Sequence, residues 1–103
     1  MELLTPAQAT RFIRAKHGPA LSLMLTRHAR DRMLERGLIV GDLLHLIQHG
    51  FVHDDGEETT RPGCYKYKME CRTPNSGGRT VRIGVIPFPA ETIKGITVMW
   101  ADE

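Results

Sequence analysis

The pattern of apolar and polar residues changes from helical to alternating at Gly50. Before this glycine, apolar residues recur at intervals of three and four positions, which predicts helices. The first helix covers about residues 5–17. Thr5 is placed to cap it, Gln8 completes a capping box, and Gly18 ends it.

The next segment predicts a short strand followed by two helices. The apolar run at residues 21–25 is interpreted as a strand, with an extension of a helix as the alternative. Thr26 caps a second helix, which ends at Gly37. A third helix is predicted over about residues 41–49, with Gly50 as its terminator.

Beyond Gly50 the alternation predicts a β-sheet. A strand begins at residues 51–53, and the acidic stretch 54–63 is predicted to be a mobile loop or a loose hairpin end. Three longer strands follow, joined by short turns, over residues 64–72, 79–87 and 93–100. These strands form an antiparallel meander, and the helices must cover one face of it. We therefore predict a two-layer α+β fold in a single domain of residues 1–103, made of segments 1–19, 20–50 and 51–103.

Alternation also predicts which side chains share a face of the sheet. Tyr65, Tyr67 and Met69 point one way, and Lys66, Lys68 and Glu70 point the other. The same argument places Val81, Ile83 and Val85 opposite Thr80, Arg82 and Ile86, and gives Ile96, Val98 and Trp100 a common face. Cys64 and Cys71 lie seven positions apart, so they cannot form a disulfide within one strand and are expected to be reduced thiols.

Charge is distributed unevenly, although the net charge is only +2. Basic residues crowd the N-terminal third and return after residue 60, whereas residues 37–60 contain no Lys or Arg. The two basic blocks either join into one patch suited to a polyanion or form two separate solvated surfaces. No apolar run approaches the ~20 residues that span a membrane, and no export signal is visible. These features predict a cytoplasmic protein that does not enter a membrane.

Two sets of residues have the chemistry to handle RNA. His28, Arg32 and Arg36 follow one another at four-residue spacing, which places them on one helix face that can hold phosphate and move a proton. Alternatively, His28 is structural and the arginines pair with nearby acids. The second set lies on the sheet: Lys66, Lys68 and Arg82 as cations, and Tyr65 or Tyr67 as a stacking or proton-donating group. A solvated sheet face and a core tyrosine explain these residues equally well.

Three histidines offer a further pattern, at positions 45, 49 and 53, followed by Asp54 and Asp55. His45 and His49 are one helical turn apart, as metal ligands often are. The glycine before His53 interrupts the helix, so three exposed histidines are the preferred interpretation. We expect no metal and no cofactor.

A family resemblance rests on the elements Thr26-Arg27-His28-Ala29, Arg32-Met33 and Glu35-Arg36-Gly37, followed by the strand pattern to Trp100. Over about residues 20–100 the chain resembles the RelE-like toxin fold, most closely the MqsR-type toxins and the DUF4258 family. The resemblance implies a type II toxin, a metal-independent endoribonuclease that cuts free or ribosome-bound mRNA. It also implies a cognate antitoxin, often a zinc-finger or helix-turn-helix protein.

Under this resemblance the expected catalytic residues are His28, Lys68, Arg82 and Tyr67, and the expected RNA-binding residues are Arg32, Arg36, Lys66 and Arg79. The chain departs from the MqsR pattern after its last strand. A functional lysine is expected there, and Ala101-Asp102-Glu103 stands in its place. The alternatives are a non-catalytic interaction protein on the same scaffold, or a nucleic-acid-binding module that uses residues 26–49 as a helix-turn-helix.

Overall fold

The structure is a computed structural model that describes residues 2–103. Three helices and six strands follow one another in the order α1 (Pro6–Ala15), β1 (Ser22–Leu25), α2 (Arg27–Glu35), α3 (Val40–His49), β2 (Phe51–Val52), β3 (Glu57–Glu58), β4 (Tyr65–Arg72), β5 (Thr80–Pro87) and β6 (Thr92–Trp100). Within residues 2–103, none of the helices has the length and apolar character required to cross a membrane.

The predicted meander forms the centre of the sheet. β4, β5 and β6 pair antiparallel, β1 adds to β6 in parallel at one edge, and β2 adds to β4 at the other. The strand at residues 22–25 is thus confirmed, and its partner is the last strand of the chain. Alternation cannot identify that partner, because parallel pairing joins segments that are far apart in sequence.

Two of the predicted helix starts are confirmed in detail. The Thr5 side chain accepts a hydrogen bond from the Gln8 backbone, and the Gln8 side chain accepts one from the Thr5 backbone. The Thr26 side chain caps α2 by accepting from the Ala29 backbone at 3.1 Å, and its hydroxyl donates to the Ile96 carbonyl at 3.0 Å. Thr26 therefore satisfies an otherwise unpaired helix N–H and fixes α2 onto β6.

All three helices pack on the same side of the sheet. Their buried residues, among them Ile13, Met33 and Leu46, form one core with strand residues such as Met69 and Ile83. The opposite side of the sheet carries no helix. The predicted two-layer α+β fold is therefore confirmed, with all three helices on one side of the sheet.

Asp42 makes an unexpected buried connection between the two layers. It is fully buried, and its carboxylate accepts hydrogen bonds from the backbone N–H groups of Ile39 and Asn75, each at 2.9 Å. Burial by itself would raise the pKa of Asp42, but these hydrogen bonds reverse the effect and lower it. Asp42 thereby fastens the start of α3 to the turn between β4 and β5.

One local prediction is confirmed and one is wrong. Within the acidic stretch after β2, Glu57 and Glu58 form β3 and pair antiparallel with the start of β4, which confirms the alternative of a loose hairpin end. Ile96 does not share a face with Val98 and Trp100: Gly84 pairs with Thr97 and Val85 pairs with Gly95, so Ile96 is the extra residue of a β-bulge. Cys64 and Cys71 are unpaired and half-buried, as their odd spacing predicts.

Candidate functional site

We call the side of the sheet opposite the helices the open face. Paired strand positions point to the same side, so the cross-strand register defines its members. They include Met24 on β1; Phe51 on β2; Glu57 on β3; Lys66, Lys68, Glu70 and Arg72 on β4; Thr80, Arg82, Gly84 and Ile86 on β5; and Lys94, Thr97 and Met99 on β6. The bulge at Ile96 is what brings both Lys94 and Thr97 onto this face, since three positions separate them.

Positive charge dominates the open face. Five cationic side chains, those of Lys66, Lys68, Arg72, Arg82 and Lys94, lie there with only two carboxylates, Glu70 on the face and Glu57 at its margin. Cations concentrated on one surface attract a polyanion and hold its phosphates. The second basic block thus supplies most of this patch, whereas the basic residues of α2 lie in the helical layer, so the two blocks do not join into one patch.

A histidine, a glutamate and an arginine meet at one end of the open face. Arg82 Nε lies 2.8 Å from Glu70 Oε2, and His53 Nε2 lies 3.8 Å from the other oxygen, Glu70 Oε1. Glu70 is half-buried, whereas the His53 side chain is exposed. The carboxylate thus holds the Arg82 guanidinium and lies near an accessible imidazole, and the remaining N–H groups of Arg82 are free to bind another oxyanion.

Two lysines beside this cluster share a single carboxylate. Glu57 on β3 lies 3.1 Å from Lys68 Nζ and 3.6 Å from Lys66 Nζ. The hydrogen bond from Lys68, reinforced by the charge of Lys66, lowers the pKa of Glu57. Gly84 pairs with Lys68 on one side and with Thr97 on the other, and a Cβ there would come 3.4 Å from Lys66 Cδ and 2.5 Å from Thr97 Oγ1. The missing side chain therefore leaves space for the lysine stem to lie across β5.

An exposed aromatic ring completes the open face. Phe51 pairs with Glu70 and remains 52 % exposed, with its ring centroid 6.3 Å from that of His53. The Arg14 guanidinium lies 4.3 Å from the ring centroid, and Arg14 also donates to the Gly50 and His49 carbonyls. Aromatic rings beside cations are the usual platform on which single-stranded bases stack.

The structure separates the predicted catalytic residues. Lys68 and Arg82 lie together on the open face, but His28 lies on α2, in the layer that packs against the other side of the sheet. His28 is exposed and forms no ion pair within residues 2–103. The sheet thus stands between this histidine and the two cations, and His53 is the histidine that accompanies them.

Tyr67 does not fit the predicted role of stacking group or proton donor to RNA. Its side chain belongs to the core and is only 2 % exposed, and its hydroxyl accepts a hydrogen bond from the Leu4 backbone at 2.9 Å. Because Tyr67 alternates with Lys66 and Lys68, it necessarily points to the helical side of the sheet. Its role is to fasten the N-terminal segment to the sheet.

The arginines predicted to bind RNA are held by acids. Arg32 Nη1 lies 2.7 Å from Glu35, and Arg36 forms two hydrogen bonds with the Glu103 carboxylate at 2.6 and 2.8 Å. Only 13 % of the Arg36 side chain is exposed, and it also donates to the Arg32 carbonyl at the end of α2. Arg36 thus anchors the C-terminal residues, and its role in RNA binding stays a prediction.

Arg79 is held in a similar way at the far end of β5. Its guanidinium lies 4.2 Å from the Trp100 ring centroid and 2.9 Å from Asp102. The residues that replace the lysine expected after the last strand thus serve as ion-pair partners: Asp102 for Arg79 and Glu103 for Arg36.

The histidines do not assemble into a metal site. The rings of His45 and His49 on α3 lie with their centroids 4.6 Å apart and their planes tilted by 48°, while His53 lies with Glu70 on the open face. No group of three or more His, Cys, Asp or Glu side chains within residues 2–103 is arranged to hold a metal ion.

Sequence reasoning missed four residues of this site: Phe51, His53, Glu70 and Lys94. Phe51 and His53 are two positions apart, and this spacing was the available signal that both point to the same side of a strand. Their strand is too short to be assigned without its partner, so the register with β4 was needed to place them beside Glu70. Alternation counted back from Val98 assigns Lys94 to the helical side, because the sequence does not reveal the bulge at Ile96.

Comparison with known proteins gives one match. No curated protein and no solved structure matches the chain significantly. A family model described as a domain of unknown function, DUF4258, matches residues 25–100, which span everything from the end of β1 to the end of β6. The match includes α2, α3 and every open-face residue named above except Met24, and on this basis the chain belongs to the DUF4258 family.

Proposed function

We propose that this protein is a metal-independent endoribonuclease that binds single-stranded RNA on the open face and acts as the toxin of a type II toxin–antitoxin pair. The observation that carries the proposal is the meeting of His53, Glu70 and Arg82 beside Lys66 and Lys68. This set supplies a proton-transfer group, an orienting carboxylate and several cations, which is what phosphodiester cleavage without a metal requires.

The proposed reaction begins with attack of the RNA 2′-hydroxyl oxygen on the adjacent phosphorus. Glu70 faces Nε2 of His53 and favours the tautomer with its proton there, which leaves Nδ1 free to take the hydroxyl proton. As the new P–O bond forms, the bond to the 5′ oxygen breaks, and Lys68 protonates that leaving oxygen. The products are a 2′,3′-cyclic phosphate and a 5′-hydroxyl end.

In this scheme Arg82 stabilises the negative charge that develops on the phosphate. One of its N–H groups is used by Glu70, and the outer nitrogens remain to bind the phosphate oxygens as negative charge builds up. The 3.8 Å separation of His53 and Glu70 is longer than a hydrogen bond, and we expect it to shorten when RNA binds. Phe51 is placed to stack a neighbouring base.

The test compares two histidines on opposite sides of the sheet. Purified wild type, His53→Ala and His28→Ala are incubated with a fluorophore-quencher single-stranded RNA in the presence of EDTA, and initial rates are recorded. Loss of a general base costs about 10²- to 10⁴-fold in rate, so His53→Ala should be nearly inactive. His28→Ala should match wild type, because α2 lies away from the open face.

The same three proteins are then expressed in a bacterial host while growth and total mRNA are followed. Growth arrest with mRNA loss is expected for wild type and His28→Ala only. If His28→Ala were inactive and His53→Ala retained wild-type activity, the active site would lie on α2 instead. RNA binding without cleavage by any of the three would make the protein a non-catalytic RNA-binding member of its family. Absence of both binding and cleavage would reject the proposal.

A further inference from the structure

An apolar groove lies on the helical side of the molecule and shares no residue with the open face. Leu25 at the end of β1, Met33 on α2 and Leu38 form its floor, and Leu34, Ile39 and Val40 form its walls. We call it the α2–α3 groove. Its volume is about 370 Å³, and it is open to solvent along its length.

The walls of the groove are exposed far more than the fold requires. Leu34 is 80 % exposed, Ile39 59 % and Val40 48 %, although α2 is otherwise polar wherever it does not face the core. Isolated apolar residues on a surface are ordinary, but several in one contiguous groove mark a place where another molecule binds. Nothing in residues 2–103 covers these three side chains.

The positive charge of Arg30 at the rim of the groove favours a negatively charged partner. Arg30 is the one charged residue in the lining, and it forms no ion pair within residues 2–103, unlike Arg32 and Arg36 on the same helix. A second copy of this chain would meet the groove with the same lining. It would therefore bring another Arg30 and no carboxylate. An acidic partner would supply the missing counter-charge.

The shape of the groove favours a helix. Its two sides are α2 and the segment that leads into α3, so a third helix can lay one apolar stripe between them and leave its polar side in water. We infer that the α2–α3 groove binds an acidic amphipathic helix of a partner protein, with leucine-like side chains over Met33 and Leu38 and a carboxylate against Arg30. This inference is independent of the ribonuclease proposal.

The test uses a synthetic probe of defined chemistry. It is a labelled helical peptide of about five turns, with leucines at positions i, i+3, i+4 and i+7 and glutamates on its remaining face. A matched peptide carries lysines in place of the glutamates. Binding to wild type, Leu34→Ser, Arg30→Ala and the control Leu3→Ser is measured by fluorescence anisotropy. Leu3 is also half exposed but lies outside the groove.

We expect wild type and Leu3→Ser to bind the acidic peptide equally. Leu34→Ser should weaken binding about tenfold, as expected for the loss of one buried leucine, and Arg30→Ala should weaken it in a salt-dependent way. Equal binding of the lysine peptide, or no effect of Leu34→Ser beyond that of Leu3→Ser, would overturn the inference. So would sedimentation showing a wild-type dimer that Leu34→Ser converts to monomer, because the occupant would then be a second copy.

Discussion

Replacing Glu57 by glutamine should strengthen RNA binding. This carboxylate contacts both Lys66 and Lys68, which under the proposed function hold a backbone phosphate. RNA must therefore displace it before the two lysines can contact phosphate. Glutamine keeps the size of the side chain but removes its charge, so the displacement no longer breaks two ion pairs.

The magnitude follows from the exposure of these groups. All three side chains are partly open to solvent, and such pairs contribute about 0.2–1 kcal/mol each. Two pairs therefore correspond to roughly 0.4–2 kcal/mol, or an increase in RNA affinity of about two- to thirtyfold. The increase should shrink at high salt, because screening weakens the ion pairs of the wild type first.

The assay is anisotropy of a labelled single-stranded RNA, titrated with protein at several salt concentrations. The matched control is Glu58→Gln, the next residue of β3, which pairs with Tyr65 and forms no ion pair within residues 2–103. Glu58→Gln removes the same charge from the same strand without releasing a lysine. If both variants gain affinity equally, only net charge matters and Glu57 does not occupy a phosphate site. A loss of affinity in Glu57→Gln would refute the reasoning outright.

Three further predictions concern stability and are measured by urea unfolding. Asp42→Asn should lower the free energy of unfolding by about 1.5–3 kcal/mol near neutral pH, since a charged acceptor of buried hydrogen bonds is lost. Because folding lowers the pKa of Asp42, its contribution is present above the unfolded-state pKa and is lost as pH falls through the folded-state pKa. The difference between wild type and variant should therefore shrink in acid; a constant difference would contradict this. Tyr67→Phe should cost about 1 kcal/mol, from the lost hydrogen bond to Leu4, and leave RNA cleavage unchanged. Gly50→Ala should cost about 1–3 kcal/mol, because the new Cβ would come 2.5 Å from the Leu46 carbonyl oxygen; unchanged stability would show that the chain relaxes there freely.

Local signals predicted the elements of this fold well. The capping pairs at Thr5 and Thr26 are complete within four residues, and the alternation in β4 and β5 reports burial directly, so both could be identified from sequence. The face assignment of Lys66, Lys68 and Arg82 is correct for the same reason. These features depend on neighbours in the chain, which the sequence displays.

The site was less predictable because its members depend on distant partners. His53 reaches Glu70 only through the register of a two-residue strand, and Lys94 reaches the open face only through a bulge. His28 had the stronger local pattern, but helical spacing does not tell which side of a sheet the helix will cover. The ion pairs of Arg36 and Arg79 with the last two residues likewise join segments that no local pattern connects.

The two edges of the sheet differ in a way that limits how these molecules can associate. At the β2 edge, α1 lies alongside and the Thr10 hydroxyl accepts a hydrogen bond from the Val52 backbone, so this N–H of β2 is already bound. At the other border no strand within residues 2–103 pairs with the outer side of β1. The outer side of β1 is therefore a place where a strand of another molecule can extend the sheet. Two molecules that pair through β1 leave neither β1 free, so this contact ends at a pair and does not by itself grow into a fibre.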